Sequence, residues 1–233
     1  MAGQQWRVLG RPRGRPASIT RAAIADAALA VGFEHLTMAA VADRLEVSHS
    51  ALYRHVRNRH GLVMLAVDRA LQRVSWPSPT GSWRADLEAQ ARALWGLLEG
   101  HPGLMREFLK LRGFPREIML RFGSAVRQLV EHGFAPEEAF LAVDTVFDLT
   151  IDVFTRGEQL DAPARDEQLD APARDKQPDA SSVREATAGA WADAVGAELA
   201  PLMRRALAEP AALWFERKLA LVLDGIAARH DRS

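Results

Sequence analysis

Cysteine is missing from all 233 residues, which excludes disulfide staples and cysteine-ligated metal and fits a reducing cytoplasm. Long uncharged apolar runs are missing too. No window approaches the roughly 18 residues that a membrane span needs, and the basic N-terminus has no apolar stretch behind it. A soluble, unexported, cytoplasmic chain with no membrane partner is therefore expected. No Ser-His-Asp elbow, phosphate loop, metal pair or dinucleotide fingerprint occurs. His49, His55 and His60 lie six and five residues apart, a spacing that does not set two metal ligands on one helical face. The expectation is no catalytic residue, no metal and no cofactor.

Lysine is also missing from residues 1–75, yet that third is basic: eleven arginines stand against five acids, for a net +6, while the remainder carries −6 and the whole chain is neutral. A basic third joined to an acidic body suggests a polyanion-binding module on a body that binds no polyanion. The length allows one or two domains.

Residues 37–59 are the most informative stretch. Val41, Ala42 and Leu45 share one helical face, and Ala51, Leu52 and Val56 share another. Thr37 and Ser48 stand where a hydroxyl can cap each helix. Only Leu45-Glu46-Val47 separates the two, so the helices must cross steeply, as in a helix-turn-helix. The second helix carries Ser48, His49, Ser50, Tyr53, Arg54 and His55, followed by Arg57 and Arg59. Short hydroxyls allow close approach to a groove, and Arg, His and Tyr donate to phosphates or base edges. A solvated basic face on an ordinary surface helix is the plain alternative.

Ahead of this motif, residues 1–17 are rich in Gly, Pro and Arg and read as a flexible arm. Pro12-Arg13-Gly14-Arg15-Pro16 resembles the core of the AT-hook, whose slim backbone places arginines such as Arg13 and Arg15 in a narrow minor groove. A basic tail with non-specific phosphate attraction is the other reading. Residues 18–31 form a helix capped by Ser18 or Thr20, with Ile24, Ala27, Ala28 and Val31 as its stripe and Gly32 as its stop. Asn58 opens a longer helix that ends before Pro77 and Pro79.

Residues 15–75 thus resemble the DNA-binding domain of the TetR family of bacterial transcriptional regulators. The resemblance is carried by Ile24 and Ala28, by Leu36-Thr37-Met38 and Val41-Ala42, and by Leu45-Glu46-Val47-Ser48. Ala51-Leu52-Tyr53-Arg54-His55-Val56, Asn58-Arg59 and Leu62 complete it. It implies phosphate contacts from Thr37, Tyr53, His55 and Arg59, and positions at or near base edges for Ser48, His49, Ser50 and Arg54. Glu46 stands where the family usually has glycine. A left-handed Glu46 would cost on the order of 1 kcal/mol relative to glycine.

Beyond Pro79 the chain is helical and acidic. Stripes appear at Leu87, Ala91, Leu94 and Leu98; over 104–111; at Ile118, Phe122, Val126 and Leu129; and at Phe140, Val143, Phe147, Ile151 and Phe154. Residues 129–153, with 214–226, are similar to the C-terminal domain of the tetracycline-repressor branch, in which the corresponding helices make a four-helix dimer interface and the core encloses a small molecule. The resemblance implies a homodimer on double-stranded DNA and an unknown small-molecule effector.

Residues 156–182 contain a nine-residue unit, Glu158 to Asp166, repeated from Glu167 to Asp175. Being polar and proline-bearing, it reads as a mobile loop, either a tolerated expansion or a gating or partner-binding loop. Residues 183–208 read as helical with a break at Pro201. The final helix, 211–229, presents an apolar area too wide for one partner, which a dimer would cover. Together with the four-helix interface that the resemblance implies, this puts Phe140, Val143, Phe215, Leu219 and Leu223 at the expected dimer interface. Trp95, Phe108, Phe122, Phe147 and Phe154 are the candidates to line an effector pocket, although each by itself reads first as a plain core residue.

The expected fold is all-α. An N-terminal three-helix helix-turn-helix DNA-binding domain (18–75) follows the arm (1–17), and a larger C-terminal helical regulatory and dimerisation domain (80–233) contains the loop. The expected function is sequence-specific repression relieved by an effector. The alternative is a ligand-insensitive architectural DNA-binding protein.

Overall fold

Four side chains start the helices of the N-terminal third, each accepting from an amide three residues on. Thr20 Oγ1 accepts from Ala23 (3.1 Å) at α1, Arg21–Val31, and Thr37 Oγ1 from Ala40 (3.0 Å) at α2, Met38–Arg44. Ser48 Oγ accepts from Ala51 (3.3 Å) at α3, His49–Tyr53, and Asn58 Oδ1 from Gly61 (2.9 Å) at α4, Arg59–Arg73. This computed structural model describes residues 19–161, 180–196 and 198–232. Its further elements are α5 (Trp83–Glu99), α6 (Leu104–Phe108), α7 (Arg116–Glu131), α8 (Pro136–Asp161), α9 (Ala180–Val195), α10 (Ala200–Ala208) and α11 (Ala211–His230), with one 3-10 turn at Phe33–His35. Every regular element among the described residues is helical.

The helices close two apolar cores. Ile24, Leu36, Val41, Leu52, Leu62 and Val67 form the centre of the first, and Leu97, Leu98, Leu104 and Met105 complete it. The second holds Leu87, Trp95, Leu129, Val143, Phe215, Leu219 and Leu223. Helix α5 serves both, with Leu87, Ala91 and Trp95 in one core and Leu97 and Leu98 in the other. Residues 18–75 therefore do not seal their own core; the end of α5 and α6 act as its lid.

Several expectations change here. Helix α8 continues to Asp161, six residues into the segment read as a loop. Two contacts carry it on: Arg156 Nε donates to Asp152 one turn back (2.9 Å), and buried Gly157 faces α11 so closely that a Cβ there would lie 2.6 Å from that of Ala211. Helix α9 likewise begins at Ala180, inside the expected loop, and Pro201 lies in the first turn of α10, where its missing amide costs no hydrogen bond. Helix α6 ends at Phe108 rather than at 111. The basic arm, with Arg13 and Arg15, and the repeat residues 162–175 lie outside the described residues.

The interface residues need a correction. Val143, Phe215, Leu219 and Leu223 are buried within the protomer's own second core, and of the five only Phe140 is exposed. The wide apolar area of α11 is filled from within the chain by α5 and α8. Its outer row, with Leu213, Ala220, Leu221 and Gly225, is exposed in the protomer.

Candidate nucleic-acid interface and its link to the regulatory core

Glu46 decides the shape of the turn. Its φ is 54°, and no other non-glycine residue among those described has a positive φ. The Glu46 amide donates to the Asp43 carbonyl (3.0 Å) and the Val47 amide to that of Ala42 (3.0 Å). These two bonds make a Schellman close to α2, with glutamate in the left-handed position that glycine normally takes. The turn is thus kept unaltered, and Glu46 bears the strain.

Beyond it, Ala51 and Leu52 of α3 are buried, Leu52 in the first core, and α3 ends at Tyr53, so that Val56, also in that core, lies just after the helix with Arg54 and His55. His49, Ser50, Tyr53 and Arg54 stay exposed, Tyr53 at 48 %, and His55 is half-buried. The His49 and Tyr53 rings meet edge-on at 6.5 Å, while Ser48 and Ser50 share a hydroxyl hydrogen bond of 3.0 Å. Exposed Thr37 sits at the start of α2, where its Oγ1 is used as a cap and its hydroxyl proton is free to donate outward.

Arg59 is placed differently from its neighbours. Its Nε donates to the Leu36 carbonyl (3.1 Å), and its Nη1 donates to the carboxylate of Glu107 on α6. Glu107 is 5 % exposed and also accepts from Lys110 Nζ (3.1 Å). The Arg59 hydrogen bond is the main reason the Glu107 carboxyl is held below the usual carboxylate range, against the opposing effect of burial. The side chain of Arg59 remains 45 % exposed, so part of its guanidinium faces solvent.

Further along α4, Asp68 Oδ1 accepts from the Glu117 amide (3.0 Å) in the first turn of α7, and Gln72 donates to the Glu117 carboxylate (3.2 Å). The α4 helix is also clamped to α1 by Asp26, whose carboxylate takes Arg69 and Arg73; the Arg69 hydrogen bond lowers its pKa.

Glu107 and Asp68 were not foreseen from sequence. The available signal was an acid within the apolar set Leu104, Met105 and Phe108, where a carboxylate must find a cation or stay solvated.

The five candidate pocket aromatics lie within packed cores. Trp95 stacks on Phe215 (4.6 Å, 20° between planes), meets Phe154 edge-on (5.2 Å) and donates to Glu99 (2.7 Å). Phe122 meets Phe140 (5.0 Å) and Phe147 (5.9 Å) edge-on, and Phe108 packs against the first core. None of the five lines either of two concavities on this side of the protein. One, of about 420 Å³, lies between the end of α8 and helices α9 to α11. The other, a cleft of about 710 Å³, runs along α8 past Asp144, Asp148 and Asp152, with Leu109 and Val222 on its walls. Burial first, and then the charges of Asp144 and Asp152, push the Asp148 carboxyl up.

Residues 77–230 match the family model described as tetracyclin repressor-like, C-terminal domain. The chain is also similar to the tetracycline repressor protein class A from transposon 1721 of Escherichia coli, at 31% identity over 225 residues that cover 92% of this chain and 91% of the relative. The chain belongs to the TetR family. Transcriptional regulation through DNA binding is what membership in the TetR family implies, and the matched relatives are transcriptional repressors, not enzymes. Among solved structures, apo ActR from Streptomyces coelicolor superposes with a TM-score of 0.70 at 20% identity, covering 93% of this chain and 98% of ActR. ActR in complex with actinorhodin gives 0.69 at 20% identity, covering 92% and 99%. These likenesses show the TetR fold, an N-terminal helix-turn-helix domain followed by a C-terminal helical domain. Among the described residues no helix is long and apolar enough to cross a membrane.

Proposed function

We propose that this chain is a homodimeric cytoplasmic repressor that binds a near-palindromic operator and leaves it when a small molecule occupies the C-terminal domain. The observation that carries the reading is the Arg59–Glu107 pair. It joins the first residue of α4, beside the recognition helix, to α6 of the regulatory half, so a shift of α6 is felt at the DNA face. Effector binding then acts as a population shift between two placements of the recognition helices.

In this proposal Ser48, His49, Ser50 and Arg54 read base edges. Thr37, Tyr53, His55 and the exposed edge of Arg59 position the phosphates, and Arg13 and Arg15 add minor-groove contacts. The domain boundaries at 17, 75 and 80 belong to the same proposal, with α6 as the shared lid. Pairing uses the outer row of α11 together with Phe140 of α8, an arrangement supported by their exposure in the protomer.

The test is selection of DNA by the purified protein, followed by titration of the recovered site. Half-sites about one helical turn apart and a dimer's mass on the DNA are expected. Arg54→Ala should weaken operator binding by about 1–3 kcal/mol while changing random-DNA binding far less. No enriched sequence, or equal losses on operator and random DNA, would support the architectural reading instead.

A further inference from the structure

We propose that the cavity between the end of α8 and helices α9 to α11 is a binding site for a planar aromatic monoanion. This rests on the effector reading above and names the chemistry of the ligand. The aromatic part follows from the walls. Trp191 of α9, although 52 % exposed, lines the cavity, and half-buried Trp214 of α11 lines it as well. Two indoles on one cavity offer stacking faces that no protein ring occupies: among the described residues neither has an aromatic partner, whereas Trp83 and Trp95 both do. Buried Gly157 keeps α8 and α11 in close contact at one edge, and Leu207 adds apolar surface. About 420 Å³ falls within the range of sites for small organic ligands.

The charge follows from the cations and their partners. Of the charged residues on the cavity, Arg156 gives its Nε to Asp152 (2.9 Å), and Glu209 is taken by Arg217 (2.9 Å). That leaves Lys218. Among the described residues no carboxylate pairs with it, and its Nζ sits 5.8 Å from the centroid of the Trp214 ring. Among the described residues the cavity therefore carries one ammonium without a carboxylate partner, beside an indole face. A ligand with one carboxylate or phenolate on a fused ring satisfies both, a cation is repelled, and a neutral ring forgoes the ion pair.

Titration calorimetry on the full chain with 2-naphthoate, and with neutral 2-naphthamide of the same shape, tests the site. Naphthoate should bind at least tenfold more tightly than the amide. Lys218→Met should bring naphthoate down to the level of the amide, and Lys218→Arg should retain the preference. Trp191→Ala should weaken both ligands about fivefold or more with an unchanged melting temperature, since Trp191 is half-exposed. Absent binding of naphthoate, equal binding of the two ligands, or a preference untouched by Lys218→Met each overturns the site. Operator retardation in the same samples separates the two readings. Naphthoate bound without operator release keeps the site and overturns ligand-relieved repression; operator release by a ligand whose affinity ignores Lys218 and Trp191 overturns the site alone.

Discussion

Replacing Glu46 by glycine should stabilise the protein, a reversal of the usual effect of placing glycine near a helix. Glu46 has φ 54°, and its side chain is exposed. An L-residue in that conformation costs about 1–2 kcal/mol through the clash of Cβ with the following carbonyl. Glycine removes this cost, but it gives the unfolded chain more freedom, which opposes the gain by about 0.4–1 kcal/mol. The two backbone bonds of the turn, Glu46 to Asp43 and Val47 to Ala42, survive the change because neither uses a side chain. The balance is a gain of about 0.5–1 kcal/mol. For a chain of this size that corresponds to a rise in melting temperature of about 1–4 °C.

Urea unfolding followed by far-UV circular dichroism measures the difference. Glu46→Ala keeps the Cβ and so the strain, and should leave stability nearly unchanged; Glu46→Asn, which tolerates the left-handed region, should fall between. A Glu46→Gly protein no more stable than Glu46→Ala would refute the strain argument. The same variants separate charge from strain at the DNA face. If the carboxylate weakens non-specific binding, Gly, Ala and Asn should all tighten binding to random DNA equally.

Glu107→Gln should destabilise the fold by about 2 kcal/mol, because a buried carboxylate loses its charge-assisted bonds from Arg59 and Lys110. Since folding lowers the pKa of Glu107, its contribution is complete above the ordinary glutamate range and is lost as pH falls through the lower folded value. The gap between wild type and variant should therefore close in acid, and denaturant melts across pH would show a constant gap if the pair were unimportant. Gly103→Ala should cost about 1–2 kcal/mol, since φ is 78° and the new Cβ would lie 3.0 Å from Glu34 Cγ; an unchanged melting curve would contradict this. Asp148→Asn should stabilise at neutral pH and lose that advantage in acid, because folding raises the pKa of Asp148 and so disfavours its charged form. An advantage that persists when the carboxyl is protonated would assign the effect to packing instead.

The N-terminal third was legible because its signals are local. Each of Thr20, Thr37, Ser48 and Asn58 caps a helix through an amide three residues away, and the apolar stripes of α1 to α4 report directly on the face each buries. The end of helix α8 is hidden from the sequence for the opposite reason: the mostly polar residues 156–161 stay helical because Gly157 packs on α11, more than fifty positions along the chain. Periodicity showed that Phe215, Leu219 and Leu223 must be covered, but a stripe carries no label for what covers it. In the protomer the cover is α5 and α8 rather than a second copy.

The sequence by itself determined the all-helical class, the two-helix motif with its tight turn, and the hydroxyl, aromatic and cationic residues on and just after the second helix of that motif. These arise from groups within about one helical turn of each other, whose geometry the backbone sets. Only the tertiary structure decided where the guanidinium of Arg59 goes, for its carboxylate partner lies 48 positions away on another helix. It likewise decided that α6 closes the DNA-binding core and that Lys218 faces a cavity beside two indoles. Such pairings follow from how several helices pack at once, and no single stretch of sequence contains them.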